Sequence, residues 1–157
     1  MNFKLKGYHY FFWSGVLSLL LGSLVYVLFR PEYLIVFDWI SSLGLMNEVK
    51  YLRVELGFFT KYLPNWFIYN LPNGLWCYSY VCCIYVVWKK LNVKMILLML
   101  VIPLLGVLTE IMQLYHWVWG IYDKTDILFY VFGFFVPVIQ IFFKTRLSLK
   151  NENAHFK

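Results

Sequence analysis

An all-α fold is predicted: a four-transmembrane-helix bundle with an amphipathic interfacial helix in the first extracytoplasmic loop. Three observations carry the prediction. Of 157 residues, 62% are hydrophobic and only 14% charged, against about 25% charged in an ordinary soluble domain. Four apolar stretches approach the length of about 20 helical residues that crosses a hydrocarbon core. Lysine and arginine gather at the same ends of those stretches. A chain this apolar cannot cover its surface with polar groups in water. That excludes a soluble globule, a disordered chain and a basic nucleic-acid-binding protein.

The spans are expected at residues 9–29, 70–88, 95–115 and 127–143, in a single integral membrane domain covering residues 1–157. Lys4 and Lys6 ahead of the first span also fit the start of a signal peptide. The apolar run is longer than a signal core and no small-residue cleavage site follows it, so a retained anchor is expected.

The intervening segments sort by charge. Residues 1–8, 89–94 and 144–157 hold Lys4, Lys6, Lys89, Lys90, Lys94, Lys144, Arg146, Lys150 and Lys157 against one acid, Glu152. Residues 30–69 and 116–126 hold Arg30, Lys50, Arg53, Lys61 and Lys124 against Glu32, Asp38, Glu48, Glu55, Asp123 and Asp126. The positive-inside rule then puts both termini in the cytoplasm. The net charge of +6 is a topology signal. The basic tail at Lys144, Arg146, Lys150 and Lys157 is expected to hold anionic lipid, with no role for nucleic acid.

Residues 30–69 form the sizeable outer loop. Residues 33–45 are too apolar for a free loop and too interrupted by Asp38, Ser41 and Ser42 for a span, so a short interfacial or re-entrant piece is expected. Leu45, Val49, Leu52, Leu56, Phe59 and Leu63 then recur at helical spacing, with Asn47, Glu48, Lys50, Arg53, Glu55 and Lys61 elsewhere. Such a helix lies along the interface. Two Leu-Pro-Asn tripeptides, at Leu63 and Leu71, stop one helix and start the next. Trp66, Trp76, Trp117 and Trp119 fall near outer boundaries, where interface aromatics belong.

Polar residues collect at the outer ends of the spans. Glu110 and Gln113 lie in the last turns of the third, Asp123 and Asp126 open the fourth, Asn70 and Asn73 open the second, and Arg30 closes the first. A polar pocket in the outer leaflet, roofed by residues 30–69, keeps them off the lipid. Its candidate residues are Glu110, Gln113, Asp123, Asp126, Arg30 and Asn73. Glu110 sits about 8 Å in from the end of its span at 1.5 Å per residue, a depth where a bare carboxylate is costly. It must be protonated, paired or hydrated, with Arg30, His116 and Gln113 in reach. A structural ion pair with Arg30 and a role toward a ligand or proton both remain open. Asp126 suits a helix N-terminus, and Asp123 or Thr125 can cap that helix. Ser14, Ser18 and Gly22 make a small-residue stripe for packing within the monomer or for a homodimer seam.

Glu110-Ile-Met-Gln113, Gly120-Ile-Tyr-Asp123-Lys-Thr-Asp126 and Gly133 resemble the E-x-x-Q … D-x-x-D … G signature of the VanZ-like family of small bacterial membrane proteins. Arg30 matches a basic residue common after the first span there. The asparagine that the family carries before the final glycine is replaced by the stretch Phe129, Tyr130 and Val131. The resemblance implies a multi-pass protein of the bacterial cytoplasmic membrane with an envelope role on amphiphilic or lipid-linked molecules, of the kind linked to lipoglycopeptide resistance. It implies no particular enzyme activity.

Three functions compete. An outer-leaflet pocket binds or modulates an amphiphile or lipid-linked molecule. An intramembrane enzyme uses Glu110 with Asp123 or Asp126 for acid–base chemistry. An accessory subunit associates within a membrane protein complex. No cofactor is expected, since no His/Cys set has metal-ligand spacing. Cys77, Cys82 and Cys83, inside a span, should behave as small hydrophobes.

Overall fold

The computed structural model describes the backbone of residues 3–89 and 92–155 and the side chains of residues 7–89 and 92–146. Lys90 and Lys157, counted above among the cytoplasmic anchors, lie outside the described residues, as do the side chains of Lys4, Lys6, Lys150 and Glu152. Among the described residues seven α-helices follow one another: α1 (Phe3–Phe29), α2 (Ile35–Ser42), α3 (Met46–Leu56), α4 (Asn65–Tyr69), α5 (Leu71–Trp88), α6 (Val93–Leu114) and α7 (Lys124–His155). A 3-10 turn at Gly57–Lys61 separates α3 from α4.

Among the described residues, three helical segments are long and apolar enough to cross a membrane: Gly7–Phe29, Val93–Leu114 and Lys124–Arg146. Their outward faces carry exposed leucines and phenylalanines, among them Leu17, Leu20, Leu104, Leu108, Phe132 and Phe143. Water cannot wet such a surface at reasonable cost; the chain is a multi-pass membrane protein. The helix α5, expected as the second of four spans, is not among the three. Its physical character explains why. Asn73, Tyr78, Ser79 and Tyr80 lower its hydropathy, and they can do so because α5 is the central helix. Cys77, Val81 and Cys82 on it are fully buried against α1, α6 and α7.

Contacts along α5 fix the bundle's directions. Tyr8, Gly15 and Gly22 of α1 meet Lys89, Cys82 and Trp76 in turn, so α1 and α5 are antiparallel. On α7, Phe129 meets Gly74 and Gln140 meets Tyr78, so α7 runs parallel to α5. The Tyr80 hydroxyl donates to the Leu98 carbonyl at 2.6 Å and ties α6 alongside. Small residues set how closely these helices pack. A Cβ on Gly133 would lie 2.5 Å from the Gly74 carbonyl oxygen, and one on Gly106 would lie 2.6 Å from the Tyr130 ring.

The small-residue stripe on α1 faces α5 within the same chain. Gly22 seats Trp76, whose Nε1 donates to Ser23 at 3.3 Å, and Ser14 lies 3.9 Å from the Cys82 sulfur. Tyr78 connects Ser14 with Gln140, at 3.3 and 2.8 Å. This polar tie crosses three helices away from the span ends where polar residues were expected to collect.

The loop segment departs from its expected form. The helical repeat beginning at Leu45 ends at Leu56, and Phe59 falls in the 3-10 turn, exposed. Within α3 the half-buried positions are Met46, Val49, Arg53 and Leu56, while Leu52 is exposed. Arg53 turns inward because α1 ends there with unpaired carbonyls. Its guanidinium donates to the carbonyls of Val27 at 2.6 Å and Arg30 at 2.8 Å. It also stacks over Phe37 and pairs with Glu32 at 3.5 Å. Sequence periodicity placed Arg53 on the polar side; a helix end in need of donors draws it to the other. Residues 33–45, expected as a short interfacial or re-entrant piece, hold the short helix α2, with Phe37 buried.

Candidate functional site

The site forms where α5 begins, α6 ends and α7 begins. Pro64 and Pro72 stand at the starts of α4 and α5, as the repeated tripeptide suggests, and Asn70 links the two helices. A proline in the first turn leaves no interior hydrogen bond unmade. Asn70 and Asn73, three apart, thereby share one face of the helix start. Asp123 precedes α7 and its carboxylate accepts the Thr125 amide N–H at 2.8 Å, a standard helix cap.

Two carboxamides at the start of α5 hold the two aspartates. Asn70 donates to Asp123 at 2.8 Å and lies 3.0 Å from Asp126; Asn73 donates to Asp126 at 2.7 Å. Glu110, buried in the last turns of α6, accepts the backbone N–H of Asp123 at 3.0 Å. With its amide turned to suit both neighbours, Gln113 donates to Glu110 at 3.3 Å and to the Ile121 carbonyl at 3.1 Å. Gly120 completes the loop. Its φ of +141° disfavours a side chain, and a Cβ there would strike Gln113.

Five of the six candidate residues therefore meet: Glu110, Gln113, Asp123, Asp126 and Asn73. Arg30 does not join Glu110 in an ion pair; among the described residues Arg53–Glu32 is the ion pair formed. Arg30 instead donates to the Tyr69 carbonyl at 2.8 Å, and its guanidinium stacks over the rings of Tyr26 and Tyr69. Its Nε is buried without a partner. His116 is exposed and adopts a left-handed backbone conformation, φ 56°. It ends α6 with its N–H on Gln113 and that of Trp117 on Met112, a Schellman closure.

Asn70 is the residue that candidate list left out. It is 3% exposed and touches both aspartates. The signal was its spacing from Asn73 on one helical face. Tyr130, whose ring packs on Gly106 of α6, was visible only as a position on the same face as Asp126 and Gly133.

Three carboxylates thus share one end of the bundle, held by neutral amide donors. Among the described residues no group of three His, Cys, Asp or Glu side chains is arranged to hold a metal ion. Beside the cluster, Trp117 and Trp119 stand exposed on the loop, Trp119 wholly so. They line a surface cleft of about 380 Å³ with His116, Val118 and Gly120.

The Asn70 hydrogen bond holds the Asp123 carboxyl below its ordinary value of 3.8, and the Thr125 N–H and the charge of Lys124 act in the same direction. A depressed carboxylate pKa stabilises the fold above the unfolded value, and that stabilisation is lost as pH falls through the folded value. Asn70→Ala should therefore lower the melting temperature in detergent at pH 7. The gap from the wild type should narrow as pH falls below 3.8. A gap independent of pH from 7 down to 2.5 would show that the bond is not coupled to this titration.

Fold and cluster together define a multi-pass helical membrane protein with a carboxylate–carboxamide site at one end. Compared with known proteins, the chain matches no family model, no curated protein and no solved structure.

Proposed function

We propose that this is a VanZ-like protein of the bacterial cytoplasmic membrane whose acidic end binds or modulates an amphiphilic or lipid-linked molecule in the outer leaflet. In this reading α5 is a fourth crossing. Its 18 residues extend about 27 Å, close to the hydrocarbon thickness, and its neighbours shield its polar groups. Both termini and the lysine-rich turn between α5 and α6 then lie in the cytoplasm, and α3 lies at the outer interface.

One observation carries the functional part. Glu110, Asp123 and Asp126 converge from two helix ends and, among the described residues, only neutral N–H groups are bonded to them. Their negative charge suits a head group bearing ammonium or hydroxyl donors. The exposed Trp117 and Trp119 alongside suit the apolar body of the same molecule. A second support is that each residue of the E-x-x-Q … D-x-x-D … G pattern has a structural partner within the unit. Gln113 packs on Gly120, Glu110 holds Asp123, Asn73 holds Asp126, and Gly133 seats Gly74.

The test is expression in a glycopeptide-susceptible bacterium, comparing an acylated glycopeptide with a non-acylated one. The wild type should raise the inhibitory concentration of the acylated drug more than that of the other. Asp126→Asn should return it to the vector level while the protein persists in the membrane fraction. Full protection by that variant would defeat a carboxylate-based site. No protection by the wild type would defeat the glycopeptide-type role.

A further inference from the structure

At the opposite, lysine-rich end of the bundle, α1 and α5 leave a groove of about 400 Å³ between them, lined by Tyr8, His9, Phe12, Trp13, Val86 and Lys89. Its size falls in the range of small-molecule pockets. We propose that this groove is a binding site for an anionic phospholipid, with the phosphate at Lys89 and the first part of an acyl chain along Phe12 and Trp13.

Two features argue for that occupant. The lining is graded along the helix axes. Tyr8, His9 and Lys89 form a polar rim where the apolar segment Gly7–Phe29 begins and α5 ends, and Phe12, Trp13 and Val86 lie one turn deeper, about 5 Å further into the bundle. A phospholipid has the same grading over the same distance, polar group first and hydrocarbon below. The second feature is charge. Neither α1 nor α5 contains an aspartate or glutamate, so nothing in the two walls repels a phosphate. Lys89 is exposed, and its backbone is fixed in the left-handed region at φ 55°, where it ends α5. The Tyr8 hydroxyl donates to its carbonyl at 2.9 Å, holding the ammonium-bearing residue at the rim. Trp13 is 64% exposed and offers its ring to a chain lying beside it.

The experiment reconstitutes the full chain in phosphatidylcholine vesicles doped with increasing fractions of phosphatidylglycerol, or of phosphatidylcholine, carrying brominated acyl chains. Trp13 fluorescence is read as the difference between wild type and Trp13→Phe. Brominated phosphatidylglycerol should quench Trp13 at about a five-fold lower mole fraction than brominated phosphatidylcholine, the preference one interfacial lysine supplies. Lys89→Asn, a residue that tolerates the left-handed conformation, should abolish the preference and leave phosphatidylcholine quenching unchanged. Lys89→Gln should do the same and guards against a folding defect in the first variant. Equal quenching by the two lipids in the wild type would overturn the proposal. So would a preference that survives both substitutions, since it would then belong to lysines outside the groove.

Discussion

Gly133→Leu should prevent the bundle from closing. A Cβ at this position would lie 2.5 Å from the Gly74 carbonyl oxygen and 2.8 Å from the Cys77 Cβ, so the obstacle is largely the backbone of α5. Gly74 has little room to yield, because its own Cβ direction is filled by Phe129 at 3.0 Å. Overpacking that side chains can absorb costs about 1–3 kcal/mol; an obstacle of backbone belongs at or above the top of that range. It would also part Cys77 from the Tyr130 carbonyl, now 3.5 Å away. Gly57→Ala is the control, since nothing lies within 4 Å of a Cβ there and its backbone is already helical. Thermal unfolding in mild detergent should show a large fall for Gly133→Leu and little change for Gly57→Ala. Wild-type melting of the leucine variant would mean that α5 and α7 are not packed backbone to backbone.

The second large effect is expected at Glu110, where two substitutions separate structure from chemistry. Glu110→Leu leaves the Asp123 N–H and the Gln113 amide without their acceptor. An orphaned buried donor costs about 1–3 kcal/mol. The loop from Tyr115 to Tyr122, which Glu110 ties to α6, should then exchange its amide hydrogens faster and be cut sooner by protease. Glu110→Gln keeps an acceptor oxygen in place and removes the ionisable carboxyl. The glutamine variant should hold the loop as firmly as the wild type. If it also loses the protection described above, the carboxylate is required for function beyond its place in the fold. Rapid exchange in both variants would instead tie the loop to the charge of Glu110 itself.

How much of this could be read from the chain depends on how local each cause is. The spans α1, α6 and α7 are written in uninterrupted apolar runs, and their existence needs no knowledge of neighbours. The middle helix α5 is different. Asn73, Tyr78 and Ser79 make it a poor span by its own composition, and only the three helices around it make that composition acceptable. Its start was legible because Pro72 is a local signal. The convergence of Glu110, Gln113, Asp123, Asp126 and Asn73 was legible as well, since placing each on its helix sends all five to one end. Partners were not. Arg30 and Glu110 lie at the same end of the bundle, yet Arg30 goes to the Tyr69 carbonyl and two tyrosine rings, while Glu110 goes to a backbone N–H thirteen residues on. Periodicity reports which face a residue occupies and says nothing of which neighbour arrives there. Arg53 makes the same point, because its place is decided by the carbonyls that end α1.

The notched face of α1 bears on the order in which the chain is assembled. Ser14, Gly15 and Gly22 are shaped for Cys82 and Trp76, which the ribosome delivers more than fifty residues later. When α1 first enters the bilayer its notches face lipid. The segment carrying Arg53 emerges next and can clasp the end of α1 before α5 exists, holding it ready. Then α5 slots into the prepared face, and α6 and α7 close around it. The helix at the centre of the finished bundle is therefore made partway through synthesis, and its polar residues reach shelter only when the last helix is made.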